Sequence, residues 1–370
     1  MRWFVAGVVL AGCGRVAFDP LGDGGADGDG DLARQANVAF VTSQSVTAAD
    51  ISNGLAGLDS ACQRFATAAG RTETFIALAS SSNIDAIDRF AGSRGWVRTD
   101  GIPLADTVAG MFTQNTMLSP FDVDETGTAL PNQFNDVYTG TGIDGRVTEN
   151  CTDWTGTGNV RGGDPQFGPA PNTASSGFNS SGAYSCTGSP GRLYCMETGK
   201  SVDLTGRMAP ATSRIIFIAN PPAAAGLAGL DAQCTTDAQA VGLPGTYRTV
   251  VSTTTATAAS RFVQDSRPIY RVDGSQVAVD AAHLFDNSKL MSFVNQMANG
   301  TYLPARDLRT GGDPLAVGSV TSTCSDWADV SATSSGRWGR AAVVYKDFAW
   351  NTGTYSCWMV SFPSTICLQE

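Results

Sequence analysis

Leu55-Ala56-Gly57-Leu58-Asp59-Ser60-Ala61-Cys62 returns 172 residues later as Leu227-Ala228-Gly229-Leu230-Asp231-Ala232-Gln233-Cys234. Working outward from this pair, Arg89-Phe90 returns as Arg261-Phe262 and Asp100-Gly101 as Asp273-Gly274. Val147-Thr148 and Cys151 return as Val320-Thr321 and Cys324, Asp153-Trp154 as Asp326-Trp327, and Tyr184-Ser185-Cys186 as Tyr355-Ser356-Cys357. Cys195 returns as Cys367, and the offset stays between 171 and 173 residues throughout. A fixed offset held along a whole domain length is the mark of a tandem duplication. The copies span residues 37–198 and 213–370, and residues 199–212 read as a linker.

The duplication sorts the nine cysteines into four, four and one, Cys13. Four cysteines in a copy allow three pairings. The first and last are 133 residues apart in both copies. That identical closure favours nested pairs: Cys62 with Cys195 around Cys151 with Cys186, and Cys234 with Cys367 around Cys324 with Cys357. A loop of that length is worth roughly 5 kcal/mol in the chain-entropy account of a disulfide.

The 370 residues carry 24 Lys and Arg against 34 Asp and Glu, a net charge of −10. With no basic block to neutralise phosphates, nucleic acid is excluded as a partner. There is a single histidine, His283. A base shared by both copies is therefore missing, and no thiolate remains once eight cysteines are oxidised. The chain is not expected to be an enzyme, and neither a cofactor nor a metal site is expected. His283 lies in Ala281-Ala282-His283-Leu284-Phe285, which suits a packed or capping role.

Residues 1–12 place Arg2 before a short apolar run, as a secretory signal does. The run ends Leu10-Ala11-Gly12-Cys13, which resembles the lipobox of bacterial lipoproteins and implies lipidation at Cys13. Residues 13–36 then read as a flexible acidic tether, rich in Gly and Asp. Asp27, Asp29 and Asp31 have calcium-loop spacing, but Leu32 stands where the loop needs glycine and Val38 where it needs glutamate. The expected location is the outer membrane or cell surface.

In each copy an apolar strand (38–41, 215–218) precedes a helix that Gly70 or Gly242 ends, with its cysteine facing the core. A second strand, a short helix ending at Arg89-Phe90 or Arg261-Phe262, and a third strand running into Gly101 or Gly274 follow. Long loops lead to closing strands at Leu193-Tyr194-Cys195 and Thr365-Ile366-Cys367. The expected class is α+β, loop-rich and disulfide-stapled.

The opening strand, the Leu-Ala-Gly-Leu-Asp-x-x-Cys helix, Cys-Thr-Asp-Trp or Cys-Ser-Asp-Trp, and the closing Leu-Tyr-Cys-Met-Glu together resemble a bacterial lectin-like family. That family is similar to the endostatin module of collagens. The resemblance covers nearly all of both copies and implies two tandem C-type-lectin-like (endostatin-like) domains with the same nested disulfides. The calcium-binding Glu-Pro-Asn or Gln-Pro-Asp of sugar-binding lectins is missing, so calcium-bridged sugar binding is not implied.

For Asp153-Trp154 and Asp326-Trp327 two roles stand side by side. The tryptophan packs over a disulfide while the aspartate caps a turn, or the pair stacks on and hydrogen-bonds a sugar. The second copy adds Trp338, Asp347, Trp350 and Asn351 between its second and third cysteines. Trp338 and Trp350 have no aromatic counterpart in the first copy. The expected partner is an extracellular glycan or protein, bound through loops and adhesive in character. Duplication would then give avidity set by the linker. A structural envelope role and a carboxylate-based hydrolase are the alternatives.

Overall fold

The computed structural model describes residues 34–370 apart from 115, 132–135, 166–177, 179–182, 188–190, 222–224, 287–288, 304–305, 345–349, 351–352 and 359–363. The signal, Cys13 and most of the tether lie outside the described residues. The fold is mixed α+β, and the same core arrangement occurs in each half.

In the first half the strands are β1 (Asn37–Val41), β2 (Phe75–Ala77), β3 (Trp96–Arg98), β4 (Pro103–Ala105), β5 (Val137–Tyr138), β6 (Asn159–Gly163), β7 (Ala183–Ser185) and β8 (Tyr194–Glu197). In the second they are β9 (Arg214–Ala219), β10 (Tyr247–Thr249), β11 (Ile269–Tyr270), β12 (Gln276–Ala278), β13 (Asp307–Arg309), β14 (Ser335–Arg340), β15 (Gly353–Ser356) and β16 (Ser364–Gln369). β1 lies parallel to β3 and antiparallel to β8, and β9 lies parallel to β11 and antiparallel to β16. The first sheet runs β2-β8-β1-β3-β4, and its equivalent strands in the second half keep the same order. The halves differ beyond this core. β13, β14 and β15 extend the second sheet to eight strands, whereas β5, β6 and β7 form a separate three-stranded sheet.

β1 and β9 are buried at every position, and after Asn37 and Arg214 each reads as an unbroken apolar run. Alternate side chains go to opposite faces. Val38 and Phe40 join a core with Leu58, Ala61 and Cys62 of the helix Gly54–Ala68. Ile215, Phe217 and Ala219 likewise meet Cys234 and Ala238 of the helix Gly226–Ala240. Ala39 and Val41, together with Ile216 and Ile218, point the other way into one cluster that runs through both halves.

Each helix ends as its glycine requires. Gly70 (φ +80°) donates to Thr67 O while Arg71 N–H returns to Ala66 O at 3.0 Å. Gly242 (φ +77°) and Leu243 repeat the motif on Gln239 and Ala238. The disulfides then tie each helix to its closing strand: Cys62–Cys195 and Cys234–Cys367, both with Cα atoms 5.4 Å apart. Cys151–Cys186 and Cys324–Cys357 complete the nested pairing. Four disulfides mark an exported protein. No helix among the described residues is long and apolar enough to cross a membrane.

The repeated Asp59 and Arg89 are explained by one contact made twice. Arg89 Nη2 reaches Asp59 Oδ2 at 2.7 Å while its Nη1 donates to Ala77 O, and Ala77 N–H donates to Asp59 Oδ1 at 2.9 Å. Arg261, Asp231 and Thr249 repeat this arrangement, with Arg261 Nη2 2.6 Å from Asp231 Oδ2. The pair pins the helix to the second strand of the half.

The linker is not a free tether. Lys200 O accepts from Asn37 Nδ2 at 2.8 Å, Leu204 N–H donates to Asp106 Oδ1 at 2.8 Å, and Arg207 Nη2 donates to Gly274 O at 3.0 Å. Lys289 of the second half forms an ion pair with Asp122 of the first, and both side chains are largely buried. Asp122 also receives Arg98 Nη1 at 3.2 Å, and that same nitrogen reaches Met291 O at 3.4 Å across the junction. The two halves thus contribute to one apolar cluster and touch across the junction.

Asp59→Ala and Asp231→Ala should each destabilise the oxidised protein by roughly 2 kcal/mol, since each leaves a mostly buried guanidinium without its carboxylate. Urea denaturation monitored by tryptophan fluorescence measures this, and similar losses are expected in the two halves.

Candidate functional site

Cys-Thr-Asp-Trp and Cys-Ser-Asp-Trp form left-handed turns. Cys151 to Trp154 have φ of 56, 52, 56 and 58°, and Cys324 to Trp327 have 49, 53, 54 and 67°. Such backbone costs an L-residue roughly 1–2 kcal/mol and is normally visited one residue at a time. Four in a row persist only where the surroundings over-determine them.

The surroundings here are dense. The Asn150 side chain accepts from Asp153 N–H at 3.0 Å, and Trp154 N–H donates to Asn150 O at 2.8 Å. Asp153 Oδ1 accepts from Ser82 N–H at 2.7 Å, and its Oδ2 accepts from the Ser82 hydroxyl. The Ser82 hydroxyl and N–H hold the Asp153 carboxyl below its ordinary range. Trp154 Nε1 donates to Ser80 O at 2.8 Å. In the second half Thr323 replaces Asn150 as the cap. Thr254 supplies both donors to Asp326 at 2.7 Å, and Trp327 Nε1 reaches Ser252 O at 3.2 Å. The first cysteine of each turn is held by its disulfide.

The tryptophans are interior. Trp154 is fully buried in a cluster with Cys151 and Cys186, and Trp327 packs with Cys324 and Cys357. The stacking role for Trp154 and Trp327 is thus replaced by packing at the disulfide, while Asp153 and Asp326 fasten the turn to the loop after β2 or β10. Trp338 is buried edge-on between Trp327 and Tyr355, at 6.3 and 6.2 Å. Trp350 is buried against Phe285. None of the four offers a ring face to a ligand. Trp350 also has an aromatic counterpart after all. Thr310 Oγ1 donates to Trp350 O as Thr139 Oγ1 donates to Phe178 O, and both rings belong to the shared core. Trp338 occupies a strand position that Gly162 fills in the first half. Asp347 and Asn351 lie outside the described residues.

His283 is half exposed, not packed. Asp280 caps its short helix by accepting from His283 N–H at 2.8 Å, and the same oxygen lies 2.7 Å from His283 Nδ1. The Asp280 hydrogen bond raises the imidazole pKa above its usual value. Among the described residues no group of three His, Cys, Asp or Glu side chains converges as a metal site.

One feature escaped the sequence motifs. The segment leading into each left-handed turn exposes apolar side chains: Ile143 and Val147 in the first half, Leu315, Val317 and Val320 in the second, the last three 52–61% exposed. Repeat alignment aligns Val147 with Val320, but exposure is not readable from an isolated valine.

Thr152 and Ser325 are exposed residues inside the left-handed turns, with φ of 52 and 53°. Thr152→Gly and Ser325→Gly should therefore stabilise the protein by roughly 0.5–1 kcal/mol, against the usual glycine penalty. Thermal unfolding of each oxidised variant measures the sign. As the only histidine, His283 gives an isolated imidazole NMR signal. Its titration midpoint should lie above that of an unperturbed imidazole and fall in Asp280→Asn. A folded-state pKa raised in this way means that the contact stabilises most at acidic pH, and that the contribution is lost as pH rises through the folded midpoint.

No protein-family model matches the chain, and no curated protein matches it in sequence.

Proposed function

We propose that this is an exported lipoprotein, anchored through Cys13, whose two C-type-lectin-like modules bind an extracellular glycan or protein through their loops. The observation that carries this reading is the apolar segment exposed at the same place in both halves, ahead of a disulfide-pinned turn. Exposed apolar groups clustered on a rigid frame favour recognition. Asp153 and Asp326, partly exposed after those segments, add fixed acceptors. The shared core sets the distance between the two surfaces, so a ligand engages both only if its own spacing fits.

A glycan array and a pull-down against purified matrix proteins, both with the oxidised full chain, test the binding reading. Binding should fall at least tenfold in the double variant Leu315→Asp, Val320→Asp, whose changes lie on exposed side chains and leave the disulfides in place. Silence of the folded wild type in both assays overturns it. Cys13→Ala should move the protein from the membrane to the soluble fraction; an unchanged membrane fraction overturns the anchor.

A further inference from the structure

The two halves and the segment joining them enclose a cleft of about 290 Å³. We propose that this cleft is a binding site for one uncharged sugar ring, distinct from the exposed loops. The proposal rests on the glycan reading above and places a sugar at a new location.

The cleft is lined by Gln114 and Thr116 from the first half, Arg207 from the joining segment, and Gln296 and Tyr302 from the second. Its volume is at the lower end for small-molecule pockets, so it suits a single ring better than an extended chain. Leu118 and Leu204 add apolar surface for the C–H face of such a ring.

Comparison of the halves argues for a built site. Gln296 and Tyr302 face each other across an isolated antiparallel bridge, and the equivalent bridge in the first half joins Val123 to Ala129. The scaffold therefore accepts an apolar pair at this bridge. Only in the second half do these positions carry an amide and a phenol, and there they line the cleft. Both groups are held in place. Tyr302 Oη donates to Asp273 Oδ2 at 2.6 Å, and its ring lies 5.6 Å from the Arg271 guanidinium. Gln296 Oε1 accepts from Asp273 N–H at 3.2 Å, and its Nε2 donates to Gly300 O at 3.1 Å. Opposite them, the Gln114 amide and the Thr116 hydroxyl make no side-chain hydrogen bond to any described residue, which leaves donors and acceptors for a ligand.

The lining carboxylates are already paired: Asp273 with Arg271, and Asp106 with Arg94. They therefore offer a metal cation no open ligand set, whereas the hydroxyl groups of a sugar use the donors and acceptors of the lining without adding charge.

Saturation-transfer NMR on the oxidised full chain tests the proposal with methyl glycosides of glucose, galactose, mannose and N-acetylglucosamine. At least one should give a transfer signal. Gln296→Val with Tyr302→Ala, which installs the first half's own pair, should weaken that binding at least tenfold, as should Gln114→Ala from the opposite wall. Near-UV circular dichroism checks that each variant is folded. Wild-type affinity in both folded variants overturns the cleft and leaves the loop reading standing. Binding on a glycan array with no response to any of the four glycosides also overturns the cleft alone. Silence in both experiments overturns the cleft together with the glycan reading.

Discussion

Both faces of β1 and of β9 have to be covered, and most of the architecture follows from that requirement. One face of each strand receives a helix of its own half. The other face packs into an apolar cluster to which both halves contribute residues. A strand with only one covered face would leave Ala39 and Val41, or Ile216 and Ile218, in water. Burial of apolar area is the dominant favourable contribution to folding, so neither face is left open to water. The inter-half ion pair of Lys289 with Asp122 is then placed where water is excluded.

The disulfides act on a different part of the structure. Cys62–Cys195 and Cys234–Cys367 bind a helix to a closing strand across 133 residues of chain. The inner pair in each half holds the entrance of a left-handed turn that an L-peptide would otherwise leave. Asn150 or Thr323, the aspartate and the tryptophan indole each add a hydrogen bond to the same four residues. The two turns keep equivalent backbone although Asn150 caps one and Thr323 the other, while Ser82 and Thr254 supply the same hydroxyl and N–H donors. Geometry rather than residue identity is what the surroundings impose.

Divergence between the halves is concentrated away from this frame. The helix, its Asp–Arg contact and the turn are nearly the same in both. Gln296 and Tyr302 against Val123 and Ala129, or Trp338 against Gly162, change the chemistry of one half without altering its strand pairing. Each of these changes alters a surface or a cleft, or exchanges a large cross-strand side chain for a small one. The structure thus separates residues that specify the fold from residues that are free to acquire a role.

The sequence alone determined the duplication, the helix ends at Gly70 and Gly242 and the α+β class, and its equal closures favoured the nested pairing that the disulfides show. All of these depend on local periodicity or on spacings that one chain carries in itself. It also marked Asp59, Arg89, Asp153 and Trp154 as repeated, but gave no way to tell a buried tryptophan from one that meets a ligand. Burial depends on what the rest of the chain places over a residue, so Trp154, Trp327, Trp338 and Trp350 were assigned to the interior only by tertiary packing. The same holds for the joining segment, which reads as a linker by its place between the copies yet is hydrogen-bonded to both halves. The cleft, too, exists only because residues far apart in sequence, Gln114 and Thr116, Arg207, and Gln296 and Tyr302, are brought together by the fold.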